Sequence, residues 1–268
     1  MDSYVLPLIA SVVKRGDSRI HAESVEGTGF LLARGRGLGV TARHVAAALE
    51  QKTSIGDLFR PETDEEEFRV PGVGFIGVDG MFRAAPIVAL QLHPTEDVAL
   101  FRLADDDYYS PYTISAEEHD ASDDYSLWGY PDDVRHDYFT EQARPLNVPL
   151  VYSSGHVRRR VSSELPVNNI RGKKFYELST PAGSCASGSP VAERSNPWRV
   201  AGVYVGERRN ETGSFAVGFG TRAEAILDEW PQLAEHSADW STLCPLPPEF
   251  VENMERYRFR AEVNTRRK

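Results

Sequence analysis

The sequence predicts an all-β protein, a barrel or a sandwich. Three observations predict it: apolar, β-branched runs recur along most of the chain, Gly, Pro or Asn turns separate them at short intervals, and helical composition is confined to a stretch after Thr41 and to the C-terminal end. With 268 residues there is enough chain for a full core, in one large domain or two closely packed halves.

Val5 to Val13 reads as the first strand, followed by a turn at Arg15 to Asp17. Gly27-Thr28-Gly29 leads into a strand at Phe30 to Ala33, and Gly35, Gly37 and Gly39 punctuate a hairpin before a short strand at Val40 and Thr41. From Ala42 the composition turns helical, so His44 falls where a strand passes into a helix. Residues 55–71 carry Glu62, Asp64, Glu65, Glu66 and Glu67 with two prolines and read as an exposed acidic loop. Strands resume at Val73 to Val78 and Pro86 to Leu92. A turn at His93 to Glu96 then places Asp97 at the mouth of the apolar strand Val98 to Phe101.

Residues 104–124 are acidic and turn-rich, and read as the connector between two halves. Strand signals follow at Tyr125 to Gly129, Val148 to Val161, Lys174 to Leu178, Trp198 to Val205 and Ser214 to Phe219. Ala225, Ile226, Leu227, Trp230 and Leu233 then recur at helix-face spacing. Beyond the prolines at 245, 247 and 248 a charged tail, Glu249 to Val263, has helical composition and is too short for a second module such as a PDZ domain.

Composition narrows the function. The net charge of −10, from 30 Lys+Arg against 40 Asp+Glu, argues against a phosphate-tracking surface and so against nucleic acid. No apolar run reaches membrane-spanning length, and the start of the chain lacks a basic leader and has Pro7 within its apolar segment, so neither a membrane span nor a secretory signal is expected. The two cysteines, Cys185 and Cys244, cannot supply the disulfide framework of a small secreted protein and favour a reducing, cytoplasmic setting.

Three stretches carry chemistry. Ser187, in Cys185-Ala186-Ser187-Gly188-Ser189-Pro190, lies among small residues that let a carbonyl approach its hydroxyl and let amides converge on a developing oxyanion. Alone, such a run is an ordinary turn, His44 a surface histidine and Asp97 a turn cap. Together they offer a nucleophile, a base and a carboxylate to orient the base.

At this point the chain resembles the trypsin/chymotrypsin superfamily, specifically its disulfide-free bacterial and Deg/HtrA-type members. The resembling residues are Thr41-Ala42-Arg43-His44-Val45, Asp97-Val98-Ala99-Leu100 and Ser187-Gly188-Ser189-Pro190-Val191, supported by Gly27-Thr28-Gly29-Phe30, Trp128-Gly129-Tyr130-Pro131 and Val200-Ala201-Gly202-Val203. The resemblance implies two six-stranded antiparallel β-barrels, a first at about 1–104 and a second at about 125–222, within a protease domain of residues 1–232, followed by a partly helical tail at 233–268. It implies a serine endopeptidase that acts through an acyl-enzyme with His44, Asp97 and Ser187 as its triad, acting on a protein or peptide and needing no metal or organic cofactor. The backbone N–H groups of Cys185 and Ser187 would form the oxyanion hole, and Tyr204, Val205, Gly206 and Glu207 one wall of the substrate pocket, with Glu207 placed to attract a basic side chain.

Two departures from the family pattern stand out. Cys185 occupies the usual glycine position of the oxyanion hole, where a positive φ costs a side-chain-bearing residue. A substrate or partner is therefore expected to help order the hole. Ala186 replaces the aspartate that pairs with a newly cut N-terminus, so restraint must come from narrow specificity or a partner. Cytosolic bacterial proteins that resemble this one sometimes act in stress or phage-defence modules, a role the resemblance extends here by analogy alone. Two rivals stay open: a catalytically silent barrel that binds peptides or another protein, and a protease of this fold using the Cys185 thiolate.

Overall fold

The computed structural model describes residues 4–14, 20–33, 36–58, 67–76, 82–104, 110–131, 149–167, 169–213, 215–234 and 242–248. Thirteen strands and two α-helices are described there.

Six strands close the first barrel: β1 (Val5–Lys14), β2 (Ile20–Leu31), β3 (Leu38–Thr41), β4 (Glu67–Ile76), β5 (Phe82–Leu92) and β6 (Ala99–Leu103), in the order β1-β2-β3-β6-β5-β4. The helix α1 (Arg43–Lys52) leaves directly from β3 and buries Val45, Ala46 and Leu49. Residues Glu67 to Pro71, read from the sequence as part of the acidic loop, belong instead to β4. Pairing with β1, in which Pro71 lies opposite Ala10, overrides their polar composition. Pro71 is tolerated because the β4–β5 ladder begins only at Gly72. The heart of that loop, residues 59–66, lies outside the described residues, as do the turn at Arg15 to Asp17 and the tail from Glu249.

The second barrel is built from β8 (Asp124–Gly129), β9 (Val151–Val161), β10 (Phe175–Leu178), β11 (Pro190–Glu193), β12 (Arg199–Arg209) and β13 (Ala216–Arg222), and closes through the β11–β12 pairing. A two-residue strand, β7 (Thr113–Ile114), adds to β12 in parallel. The fold class is therefore the expected one: two six-stranded antiparallel barrels. Helix α2 (Ala223–Glu229) and a 3-10 turn at Pro231–Leu233 follow β13.

The apolar packing does not stop at either barrel. One cluster joins Leu6, Leu8, Val45 and Phe101 of the first half to Val205, Val217 and Phe219 of the second. Another joins Phe30, Val40 and Leu100 to Val203, Ile226, Trp230, Leu243 and Cys244. Elements from both halves are thus held against each other by continuous core.

Candidate active site

His44 is the second residue of α1, and its placement follows from the tight β3–α1 junction after Thr41. Asp97 ends a short turn held by two backbone hydrogen bonds, from His93 N–H to Val98 O at 3.0 Å and from Val98 N–H to Glu96 O at 2.9 Å. The two side chains meet. His44 Nδ1 lies 2.8 Å from Asp97 Oδ2, and the His44 backbone N–H donates to Asp97 Oδ1 at 3.0 Å.

Both carboxylate oxygens of Asp97 are therefore committed to one residue, which fixes the position and rotation of the imidazole. The carboxylate is almost fully buried at 1 % side-chain exposure, whereas the ring keeps 25 %. With Nδ1–H donated to Asp97, Nε2 is left as the acceptor. Among the described residues it has no hydrogen-bond partner.

Ser187 comes from the loop between β10 and β11 and reaches the same place through the backbone. Its carbonyl accepts the Thr28 N–H at 2.8 Å. A Cβ on Gly27 would lie 2.6 Å from Val45 Cγ2 and 2.9 Å from the Ser187 carbonyl, so the Ser187 loop and the first turn of α1 meet over that glycine. Gly188 is equally confined. A Cβ there would fall 1.8 Å from Thr28 O and 2.4 Å from Thr41 Oγ1, and its φ is +95°. The Ser187 hydroxyl donates to Val205 O at 3.2 Å. Val205 is the residue skipped by the β12–β13 register between Tyr204 and Gly206, a bulge that turns its carbonyl toward the serine.

Of the expected oxyanion donors, Ser187 N–H has no acceptor among the described residues. Cys185 takes φ +63°, the left-handed backbone a glycine would adopt freely, and its carbonyl accepts a hydrogen bond from Thr28 Oγ1 at 3.0 Å. Its Sγ points toward Val25 O, 3.9 Å away. Tyr204 is fully buried, and burial pushes its phenol far above the ordinary range. Glu207 is not a free carboxylate: Oε2 accepts the Gly183 N–H at 3.0 Å, and Oε1 accepts from Arg209 Nε at 2.7 Å.

A family model described as a trypsin-like peptidase domain matches residues 27–203, more than half of the chain. The chain belongs to the trypsin-like peptidase family. Solved structures agree with this at the level of the fold. The MamO protease domain from Magnetospirillum magneticum matches 85 % of this chain and 96 % of its own at 12 % identity, with a TM-score of 0.54. The Rv3671c protease from M. tuberculosis in its active form matches 92 % and 84 % at 14 % identity, TM-score 0.54. An HtrA-type protease, AlgW with a decapeptide, matches 88 % and 66 % at 14 % identity, TM-score 0.56. No curated protein matches the chain by sequence. Membership of this family supports a protease.

Several residues that support the candidate site escaped the sequence. Thr28 appeared there only within a glycine motif, yet its hydroxyl accepts from Tyr130 N–H at 3.0 Å while donating to Cys185 O. Thr221 Oγ1 donates to the Asp97 carbonyl at 3.3 Å. Glu96 Oε2 accepts the Lys173 and Lys174 amides at 2.9 and 3.1 Å, tying the aspartate turn to the second half. The adjacent acidic residue could have drawn notice to Glu96; nothing local marks Thr221.

Proposed function

We propose that this chain is a serine endopeptidase in which His44, Asp97 and Ser187 act on protein substrates through an acyl-enzyme. The observation that carries the reading is the 2.8 Å contact between His44 Nδ1 and a buried Asp97 carboxylate that also grips the His44 amide. Such a carboxylate holds the tautomer whose Nε2 accepts a proton and stabilises the imidazolium once it forms. Ser187 Oγ would turn from Val205 O toward Nε2, lose its proton and attack the carbonyl. The oxyanion would be received by the Ser187 and Cys185 amides, and the imidazolium would return the proton to the departing amine. Water would then release the acyl group by the same base.

The resting contact of Ser187 with Val205 supports activity that depends on a bound substrate or partner to bring the hydroxyl into line. Cys185 and Cys244 are not joined in a disulfide, which agrees with work in a reducing, cytoplasmic compartment. The test is labelling with a fluorophosphonate probe. It is expected in the wild type and Cys185→Ala and lost in Ser187→Ala. Cleavage of a protein substrate that survives Ser187→Ala and is lost in Cys185→Ala would favour the thiolate mechanism, and neither labelling nor cleavage under any condition would favour a binding module.

A further inference from the structure

Tyr204 and Glu207 close the space beside the nucleophile. We infer that they restrict the proposed protease to substrates whose acyl-side residue at the cut is small: glycine, alanine or serine. The inference rests on the serine-endopeptidase reading. In that reading the attacked carbon sits on Ser187 Oγ, which lies against Val205 O at 3.2 Å, and its oxygen faces the Ser187 and Cys185 amides. The residue bearing that carbonyl must then run along Val205 to Glu207 of β12, and its side chain must enter between that strand and the 182–184 loop.

This space is crossed at two levels. The deeper level is the Tyr204 ring. Tyr204 is fully buried and packs with Tyr125, Leu127, Leu178 and Ala186. Its Cε2 lies 2.9 Å from where a Cβ on Gly218 would be, so the ring lies across the face of β13, the strand paired with β12. Its hydroxyl is pinned at the far side, accepting from Ala182 N–H at 2.9 Å and lying 3.3 Å from Glu207 Oε2. Swinging this ring aside would strand buried polar groups and open a cavity in the core.

Nearer the mouth, the Glu207 carboxylate joins the two walls by accepting the Gly183 N–H at 3.0 Å. With Arg209 Nε at 2.7 Å on its other oxygen, Glu207 offers an incoming lysine or arginine little uncompensated charge. A long basic or aromatic side chain would have to break the bar and displace the ring. A methyl or hydroxymethyl need do neither.

The experiment uses peptidyl phosphonates, and matching chromogenic peptides, that differ only in the acyl-side residue: Ala, Ser, Leu, Phe or Lys. The wild type is expected to react with Ala and Ser at least about tenfold faster than with Leu, Phe or Lys. Glu207→Ala should raise the Leu-to-Ala ratio several-fold, and Tyr204→Val should do so for Phe, while Tyr204→Phe, which keeps the ring, should retain the preference for small residues. Ratios within one protein are insensitive to the amount folded, so a merely destabilising effect would not move them.

Preference of the wild type for Phe or Lys, or ratios unmoved in both Glu207→Ala and Tyr204→Val, would overturn the inference while Ser187-dependent labelling left the protease reading standing. Absence of Ser187-dependent reaction with every probe would overturn both.

Discussion

At the scale of single residues, the site depends on groups with no slack. Asp97 spends both oxygens on His44, so replacing one by an amide nitrogen affects the ring and the helix start together. Asp97→Asn should leave the fold intact but turn the imidazole to the wrong tautomer, lowering kcat by about four orders of magnitude with little change in KM. A kcat reduced only a few-fold on a cleaved protein substrate would remove Asp97 from the proposed triad. Gly188 is constrained by geometry instead of charge. With φ +95° and Thr28 O only 1.8 Å from a would-be Cβ, Gly188→Ala cannot be relieved by a rotamer change. Backbone strain and overpacking each cost about 1–3 kcal/mol, so a loss of about 3 kcal/mol or more in denaturant unfolding is expected. The loop bearing Ser187 could then no longer seat on β2.

At the scale of elements, the aspartate turn is held from both sides, and the second side was not legible in the sequence. His93 Nδ1 accepts the Glu96 N–H at 2.9 Å, and Nε2 meets Ala225 O of α2 at 3.1 Å, which requires a neutral ring protonated on Nε2. Burial lowers the pKa of His93 from its ordinary 6.5, against the raising influence of the Ala225 carbonyl, Glu229 and Glu96; Arg43 adds to the lowering. The folded state thus refuses a proton that the unfolded state accepts, and stability must fall as pH drops through 6.5 toward the depressed value. Melting temperature should decline more steeply between about pH 7 and 5 in the wild type than in His93→Gln; parallel curves would show that this junction does not titrate. The sequence singled out His44, Asp97 and Ser187 as candidates because each sits in a local pattern: a strand-to-helix change, a turn before a core strand, small residues before a proline. It disclosed most strands for the same reason. What it hid were partners brought in by tertiary register. Thr221, 124 residues from Asp97, has no local feature to announce it, and residues 67–71 looked like loop until pairing with β1 made them strand.

At the scale of the molecule, the C-terminal segment fastens the second half onto the first. After α2 the chain returns to β6, where Arg102 donates from Nε to Cys244 O at 2.9 Å and from Nη2 to Leu243 O. Burial lowers the Arg102 pKa, so these carbonyls compensate a charge that has lost much of its water. Gln91 Oε1 takes the Cys244 N–H at 2.8 Å, while Leu243 and Cys244 fill the core beside Trp230 and Leu233. Burial also pushes the Cys244 thiol up to about 12, making it a packing group and not a reactive one. A chain ended after Ser241 would expose that core and leave Arg102 without these acceptors. Leu243 burial contributes about 2 kcal/mol and the two charge-assisted hydrogen bonds about 1.5 kcal/mol each, so a loss of about 3–5 kcal/mol is expected. For a protein of this size that corresponds to a melting temperature lower by about 10 °C, accompanied by binding of a hydrophobic dye. Since the same core cluster runs through Val40 and Leu100, beside Thr41 and Asp97, loosening it should depress cleavage before the molecule melts. Unchanged melting in the shortened chain would show instead that the two barrels hold their register without the strap.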